Sequence, residues 1–458
     1  MLDEKFKKRM SKLLPENELD SFIDSLENSP PVRAFRVNTL KTSVDNFLSA
    51  TSLSKKPLSY NSEGFIFDEE GIGARAAHHS GMIYVQDPGA MSALSALDIE
   101  PGWAVLDACS APGGKSTQAA AKIGDGGFIL SNEYIPKRAK TVVSNFERLG
   151  VRCGVVTSLD TSELPKMFSE VFDLVIADVP CSGEGMFRKS AEALSEWSEE
   201  NILLCQRRQR EIMKNLPTLI KPGGYLLYST CTFSLEENEM VIDEFLSENP
   251  DFTLSEVKPA LRAATSDGIV FEGAKCKSLS LARRFYPHKS EGEGQFVALM
   301  KKSSEKAPMP KFLYRDAASR LTAKEEAAVR KFFSENLRKQ PPGKLLKVGE
   351  NIVIISHGYP IPPKSVFSAG VLLGNIEKDR LIPAHQFFSC FGELFLRREN
   401  LGDGDPRLSA YLRGEEIAAV DFDDSGYCAV FYSGAALGGG KASLGKIKNH
   451  YPKGLRNK

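Results

Sequence analysis

Between residues 104 and 300 the chain alternates short apolar runs with longer amphipathic stretches, and this rhythm restricts its fold more than any other feature. The runs are Ala104-Val105-Leu106-Asp107-Ala108, Gly127 to Glu133, Gly154 to Thr157, Asp173 to Asp178 and Tyr225 to Ser229. Each has the length of a strand, and most gaps hold helix-like segments such as Pro136 to Leu149 and Glu199 to Leu219. Parallel strands need long crossovers, so the alternation predicts an α/β unit on a doubly wound parallel sheet. Ligands of such sheets bind beyond the carboxyl ends of the strands. Asp107, Glu133, Asp160, Asp178 and Cys231 all lie at or just past such ends, and are expected to face one crevice.

The first run is followed by Cys109-Ser110-Ala111-Pro112-Gly113-Gly114-Lys115-Ser116, a loop that opens a helix and offers backbone N–H groups and a helix dipole to a ligand. Gly114-Lys115-Ser116 matches the end of a P-loop, but that motif requires glycine where Cys109 stands, so a triphosphate site is not expected. Glu133 ends the second run about 25 residues on, where a carboxylate can take both ribose hydroxyls. Asp160, after Ser158-Leu159, is placed for an adenine amino group. A nucleoside without a triphosphate fits this set, and S-adenosylmethionine is the leading candidate. Lys115 either orients the loop, contacts RNA or serves the helix start.

The 458 residues predict about three domains. Residues 1–72 read as a small α+β unit with a helix pair and the strand Ala34 to Asn38, and residues 73–303 as the catalytic unit. The polar, proline-bearing stretch Lys301 to Pro310 reads as a linker, and the short runs Asn351 to Ser356 and Gly426 to Tyr432 as small β-rich units. Arg36 and Asn38 are assigned to RNA or to the domain junction. No run approaches about 18 uninterrupted apolar residues, and Met1 to Met10 carries no apolar leader, so a cytoplasmic protein without a membrane partner is expected.

The eight cysteines are scattered without a C-x-x-C pair, which argues against a disulfide framework or a zinc ribbon, and His78-His79 lacks a third ligand, so no metal is expected. With 59 basic and 59 acidic residues, any RNA site must be a local patch. Lys441, Lys446, Lys448, Lys453, Arg456 and Lys458 fall in a stretch without Asp or Glu and are interleaved with Gly445, His450, Tyr451, Pro452 and Gly454. This is read as a phosphate-contacting element, with a solvated tail as the other reading.

Two thiols remain, Cys181 in Asp178-Val179-Pro180-Cys181-Ser182-Gly183 and Cys231 in Ser229-Thr230-Cys231-Thr232. Cytosine C5 is a poor nucleophile, and methylating it needs a thiolate to add at C6 first. An ordinary thiol is only about 3% thiolate at pH 7, so the attacking cysteine needs a site that favours the anion. A Pro-Cys dipeptide supplies the nucleophile in DNA cytosine-C5 methyltransferases, and on chemistry alone the two thiols are nearly tied.

Asp107-Ala108-Cys109-Ser110-Ala111-Pro112-Gly113-Gly114-Lys115, Asp178-Val179-Pro180-Cys181-Ser182-Gly183-Glu184-Gly185 and Ser229-Thr230-Cys231-Thr232-Phe233, in this order, resemble the Sun family of RNA (cytosine-5) methyltransferases. The likeness is greatest to the bacterial 16S rRNA cytosine-C5 methyltransferase F type. It implies a Rossmann-like S-adenosylmethionine-dependent core, a small N-terminal α+β domain, an accessory domain over 311–386 and a PUA-like RNA-binding region over 387–458. Asn449-His450-Tyr451-Pro452-Lys453-Gly454 is similar to the closing motif of that region.

By position, the resemblance makes Cys109, Ser110, Ala111, Pro112, Gly113, Gly114, Lys115, Glu133, Asp160 and Asp178 the cofactor site. It makes Cys231 the nucleophile, Cys181 the residue assisting release, and Asp178 the group that protonates or hydrogen-bonds N3. Ser110 and Val179 replace the more usual alanines without removing a functional group. The implied partner is 16S rRNA, in the small subunit or an assembly intermediate, acted on by a monomer. A tRNA cytosine-C5 methyltransferase, and a ribosome-assembly factor that binds RNA without catalysis, are the competing readings.

Overall fold

The computed structural model describes every residue except Met1, Ser52, Ser54, Pro308 and Lys458. Its centre is a ten-stranded sheet. The strands Ala104–Asp107, Phe128–Asn132, Gly154–Thr157, Phe172–Asp178 and Ile220–Thr230 are parallel neighbours, with Ala104–Asp107 in the middle. The sheet is not purely parallel. Gln295–Lys302 pairs antiparallel with Ile220–Thr230 on one side, and Val366–Ala369 pairs antiparallel with Gly154–Thr157 on the other. That second strand comes from the region read as an accessory domain, whose turn-rich sequence carries no sign of a distant edge partner. Lys311–Phe312 likewise pairs with Phe168–Ser169, so both ends of the C-terminal region's first segment are stitched to the core.

The helices between the strands follow from local signals. Pro136–Leu149 starts with proline, which suits a first helical turn, and stops at Gly150 in the left-handed region. Its Ala139, Val142, Phe146 and Leu149 recur at helical spacing and are buried, the first three in one core with the sheet. Gly113, with φ +106°, caps the helix Gly114–Ile123 that follows the glycine loop. The chain reverses strand order on either side of Ala104–Asp107, and the crevice between its end and that of Phe172–Asp178 is where such sheets bind ligands.

In the N-terminal unit the helices Glu4–Leu13 and Glu16–Glu27 bury Phe6 and Phe22 against Phe187, Trp197, Phe233 and Tyr286, beside the two cysteine loops. A four-stranded sheet follows, and its last strand, Ile83–Val85, lies past residue 72. Arg36 and Asn38 both serve the junction with the core. Asn38 donates to Gly81 and Leu149 carbonyls at 2.8 Å each, and Arg36, fully buried, donates to Thr117 Oγ1 at 3.2 Å.

The C-terminal half contains a four-stranded antiparallel sheet and a five-stranded sheet joined by the helix His385–Phe391. Gly439 passes so close to the Phe388 ring that a Cβ there would lie 2.2 Å from it, which accounts for a glycine run in a strand. The five-stranded sheet shares one apolar core with the N-terminal sheet, including Phe35, Phe65, Val430, Ile447 and Tyr451. Lys41 crosses to this half, donating to Ser389 O, Ser389 Oγ and Ala436 O, and burial pushes its pKa down to about 8.

The basic C-terminal stretch is therefore not a solvated tail. Tyr451 is buried, and its hydroxyl and Asn457 Oδ1 lie 2.8 and 2.9 Å from the two ring nitrogens of His79. Arg456 donates to Tyr451 O, while Lys441, Lys446, Lys448 and Lys453 remain exposed and Lys458 lies outside the described residues. Tyr451→Ala is expected to destabilise the protein by about 3 kcal/mol, lowering the midpoint of thermal unfolding. Lys448→Ala should leave that midpoint within error.

Candidate active site

The glycine loop is shaped from below. Asp107 ends its strand but turns away from the crevice, where its Oδ2 accepts from Ser116 Oγ at 2.6 Å and Ser131 Oγ donates to Ser116 Oγ at 2.8 Å. Burial pushes its pKa up to about 7. Ser110 N–H donates to Asn132 O, Ala111 N–H to Glu133 Oε2 at 3.3 Å, and Arg138 reaches back to Ala111 O at 3.1 Å. Asn145 donates to Pro112 O at 2.8 Å, after the cis Ala111–Pro112 bond. Ser110, Pro112, Gly113 and Gly114 thus build the loop, while Cys109, Ala111 and Lys115 line the cleft above it.

That cleft has a volume of about 810 Å³, within the range of small-molecule sites. Glu133, Asp160, Asp178, Cys181 and Cys231 all line it, as four of the five expected strand-end residues were read to do; Asp107 is the exception. Glu133 is almost wholly buried and accepts the Ile135 N–H at 3.0 Å. Asp160 caps the short helix Thr161–Lys166, and the Ser162 hydroxyl and N–H hold its carboxyl below the ordinary pKa. Burial raises the Cys109 thiol well above its usual value, so this third cleft cysteine stays neutral.

Across the cleft, Asp178 is clamped from two sides. Its Oδ1 accepts from Ser229 Oγ at 2.7 Å, and its Oδ2 lies 2.8 Å from Lys115 Nζ. The parallel register sets Asp178 opposite Ser229, which brings the two motifs together at the carboxyl ends of neighbouring central strands. Just beyond, Cys181 Sγ and Cys231 Sγ lie 3.3 Å apart. The contact with Cys231, and then burial, raises the Cys181 pKa.

Several residues at the site escaped the sequence reading. Ser229 was read only as part of a motif, and Arg208 was not singled out. Arg208 lines the cleft from the helix Glu199–Lys214 and has no carboxylate partner among the described residues. Ser182, Thr232, Glu184, Gln209 and Glu237 form a buried polar network behind the cysteines. The available signal was Glu236-Glu237-Asn238-Glu239, an acidic run close behind a reactive motif. Among the described residues no cluster of three or more His, Cys, Asp or Glu could hold a metal ion, and both ring nitrogens of His79 are taken up by Tyr451 and Asn457.

The sheet order, the glycine loop and the strand-end carboxylates give the chain the Rossmann-like fold of S-adenosylmethionine-dependent methyltransferases. Residues 94–301 match the family 16S rRNA methyltransferase RsmB/F, residues 2–88 the N-terminal domain of 16S rRNA methyltransferase RsmF, and residues 398–457 the methyltransferase RsmF PUA domain. The chain is 31% identical over 481 residues to the ribosomal RNA small subunit methyltransferase F of Vibrio vulnificus (strain YJ016), covering 99% of this chain and 97% of that protein. It belongs to the 16S rRNA methyltransferase RsmB/F family. A 35% identical match to the protein of the same name from Erwinia tasmaniensis covers 68% of this chain and 65%, just under two thirds, of that relative. Among solved structures, a methyltransferase homolog from Pyrococcus horikoshii aligns at 27% identity and TM-score 0.54, covering 66% of this chain and 100% of that one. NSun6 from the same organism, solved with SFG, aligns at 20% identity and TM-score 0.55 over 66% of this chain and 99% of its own, a likeness of fold.

Proposed function

We propose that this chain methylates C5 of cytosine in the RNA of the small ribosomal subunit, through a covalent bond between Cys231 and C6 of the base. The observation that carries the reading is the pair of thiols 3.3 Å apart in the cleft that also holds Glu133, Asp160 and Asp178. S-adenosylmethionine fits the donor set: an acidic side chain for the ribose in Glu133, one for the adenine in Asp160, a backbone loop over Cys109 to Lys115, and no triphosphate cradle. When bound, it supplies an electrophilic methyl group.

Asp178 faces the base, and its carboxylate, held by Ser229 and Lys115, forms a charge-assisted hydrogen bond to cytosine protonated at N3. This withdraws electron density from C6, and the Cys231 thiolate adds there, leaving an enamine whose C5 takes the methyl group. A base then removes the C5 proton, the electron pair re-forms C5=C6, and the C6–S bond breaks. Cys181 is held as a neutral thiol, so its S–H can donate to the departing Cys231 thiolate and assist release.

The N-terminal domain and the PUA-like region over 387–458 supply RNA affinity and choose the site, with the protein acting as a cytoplasmic monomer on rRNA or an assembly intermediate. Arg208, a cleft cation without a carboxylate partner among the described residues, meets a phosphate beside the target nucleotide. Arg208→Ala is expected to weaken RNA binding and to reduce the slope of log K against log salt by about 1, while cofactor affinity is unchanged; anisotropy titrations at several salt concentrations measure both. Bisulfite mapping of rRNA from cells with and without the gene tests the substrate. Loss of a 5-methylcytosine in small-subunit rRNA is the expected result, and loss of a tRNA mark with rRNA unchanged would favour the competing reading.

A further inference from the structure

Behind the two reactive cysteines lies a carboxylate that lines no part of the cleft and, among the described residues, pairs with no cation. Glu237 is fully buried, and its Oε1 accepts from Ser182 N–H at 2.9 Å and from Gln209 Nε2 at 3.0 Å. Its Oε2 accepts from Ser182 Oγ at 2.5 Å and lies 3.2 Å from Thr232 Oγ1. Gln209 uses the same amide nitrogen to reach Pro180 O at 2.9 Å. Both residues that flank Cys181, Pro180 and Ser182, are therefore tied to one carboxylate. A buried acid with three N–H or O–H donors and, among the described residues, no countercharge is costly to keep unless those donors are needed where they are; burial, outweighing the opposing hydrogen bonds from Ser182 and Gln209, pushes the Glu237 pKa up to about 7.

The Cys231 loop is anchored differently. Thr232 Oγ1 and Phe233 N–H donate to Glu184 Oε2 at 2.7 and 2.9 Å, and Ser234 Oγ to Glu184 Oε1 at 2.8 Å. Asn238 donates to Thr232 O at 3.0 Å, and Arg284, itself paired with Glu239, donates to Phe233 O at 2.8 Å. Glu237 reaches this loop through the longer 3.2 Å contact with Thr232 Oγ1, and the bonds just named do not depend on it. Removing Glu237 would thus release the Cys181 loop while the Cys231 loop keeps most of its supports.

From this asymmetry we infer that Glu237 is a positioning residue for release: it holds Cys181 against Cys231 through Ser182 and Gln209, and acts on breakdown of the covalent adduct rather than on its formation. The inference rests on the roles proposed above for the two thiols. It concerns a side chain that reaches substrate only through others, so the informative readout is which step fails.

The test compares Glu237→Ala, Glu237→Gln and Cys181→Ala on one RNA substrate, with adduct read as a shifted band on a denaturing gel alongside turnover and cofactor affinity. Glu237→Ala is expected to bind cofactor within about 3-fold of the wild type, to lose turnover by 10-fold or more, and to accumulate adduct as Cys181→Ala does. Glu237→Gln should recover turnover to within about 5-fold, because the amide oxygen can accept both N–H groups and the amide nitrogen can donate to Ser182 Oγ. A folded Glu237→Ala enzyme with normal turnover, or one that loses adduct and turnover together, overturns the inference while an adduct in Cys181→Ala leaves the thiol roles standing. No adduct in Cys181→Ala overturns both. Should Glu237→Ala not fold, Ser182→Ala and Gln209→Ala each remove part of the tether and should trap a smaller fraction of adduct; no adduct in either folded variant overturns the inference.

Discussion

Cys181→Ala is expected to stop turnover with the RNA still attached, giving a covalent enzyme–RNA band on a denaturing gel, whereas Cys231→Ala gives neither band nor methylated product. The two effects differ because the thiols share a site and not a task. Cys231 supplies the bond to C6, and no other thiolate can take its place: Cys109 is held neutral by burial on the opposite loop, and Cys181 has its proton held by the contact with Cys231. Its loss is expected to cost at least about 10⁴-fold in rate, as removal of a covalent nucleophile does. Cys181 enters after methyl transfer. Its loss leaves attack intact, so adduct builds up to a large fraction of enzyme while product release falls. The reverse pattern, with adduct in Cys231→Ala, would exchange the roles.

Asp178→Asn is expected to lower kcat/KM by about 10²–10⁴-fold, the span of a positioned acid–base group. The amide keeps the shape, and Ser229 and Lys115 can still bond to it, but the negative charge that stabilises an N3-protonated ring is gone. Attack itself should then be slow, so this variant should show little adduct, in contrast to Cys181→Ala. Lys115, only 8% exposed at its side chain, loses its ion-pair partner, and some loss of thermal stability is expected with the rate loss. Rates on a saturating RNA, measured beside cofactor affinity, separate the two contributions. Turnover within about 3-fold of the wild type would remove Asp178 from the chemistry.

The strand-end residues could be read in advance because a parallel sheet turns sequence order into spatial order: each apolar run delivers its last polar residue to the same edge. That logic placed Glu133, Asp160, Asp178 and Cys231 in one cleft. It misplaced Asp107, since one residue's difference at a strand end decides whether a side chain faces the cleft or the core, and Ser116 on the next helix draws it inward. The Glu237 network was illegible for another reason. Its partners Ser182 and Gln209 lie on two other segments, and no periodicity relates them. At the C-terminus the residues interleaved with the cations were the legible signal: Tyr451 holds the segment against His79, while Lys441, Lys446, Lys448 and Lys453 stay exposed. The edge strand Val366–Ala369 joins a partner some two hundred residues earlier (Val366 opposite Thr157), a pairing set by tertiary packing rather than by local propensity.

The most direct test is to trap the wild-type enzyme on substrate RNA carrying 5-fluorocytosine, where the fluorine at C5 cannot leave as a proton does and the adduct is held after methyl transfer. Peptide mapping by mass spectrometry then identifies the cysteine bonded to the base. A linkage on the peptide containing Cys231, carrying one added methyl group on the base, is the predicted result. A linkage on the Cys181 peptide would contradict the assignment of the nucleophile, and no covalent species at all would contradict the adduct.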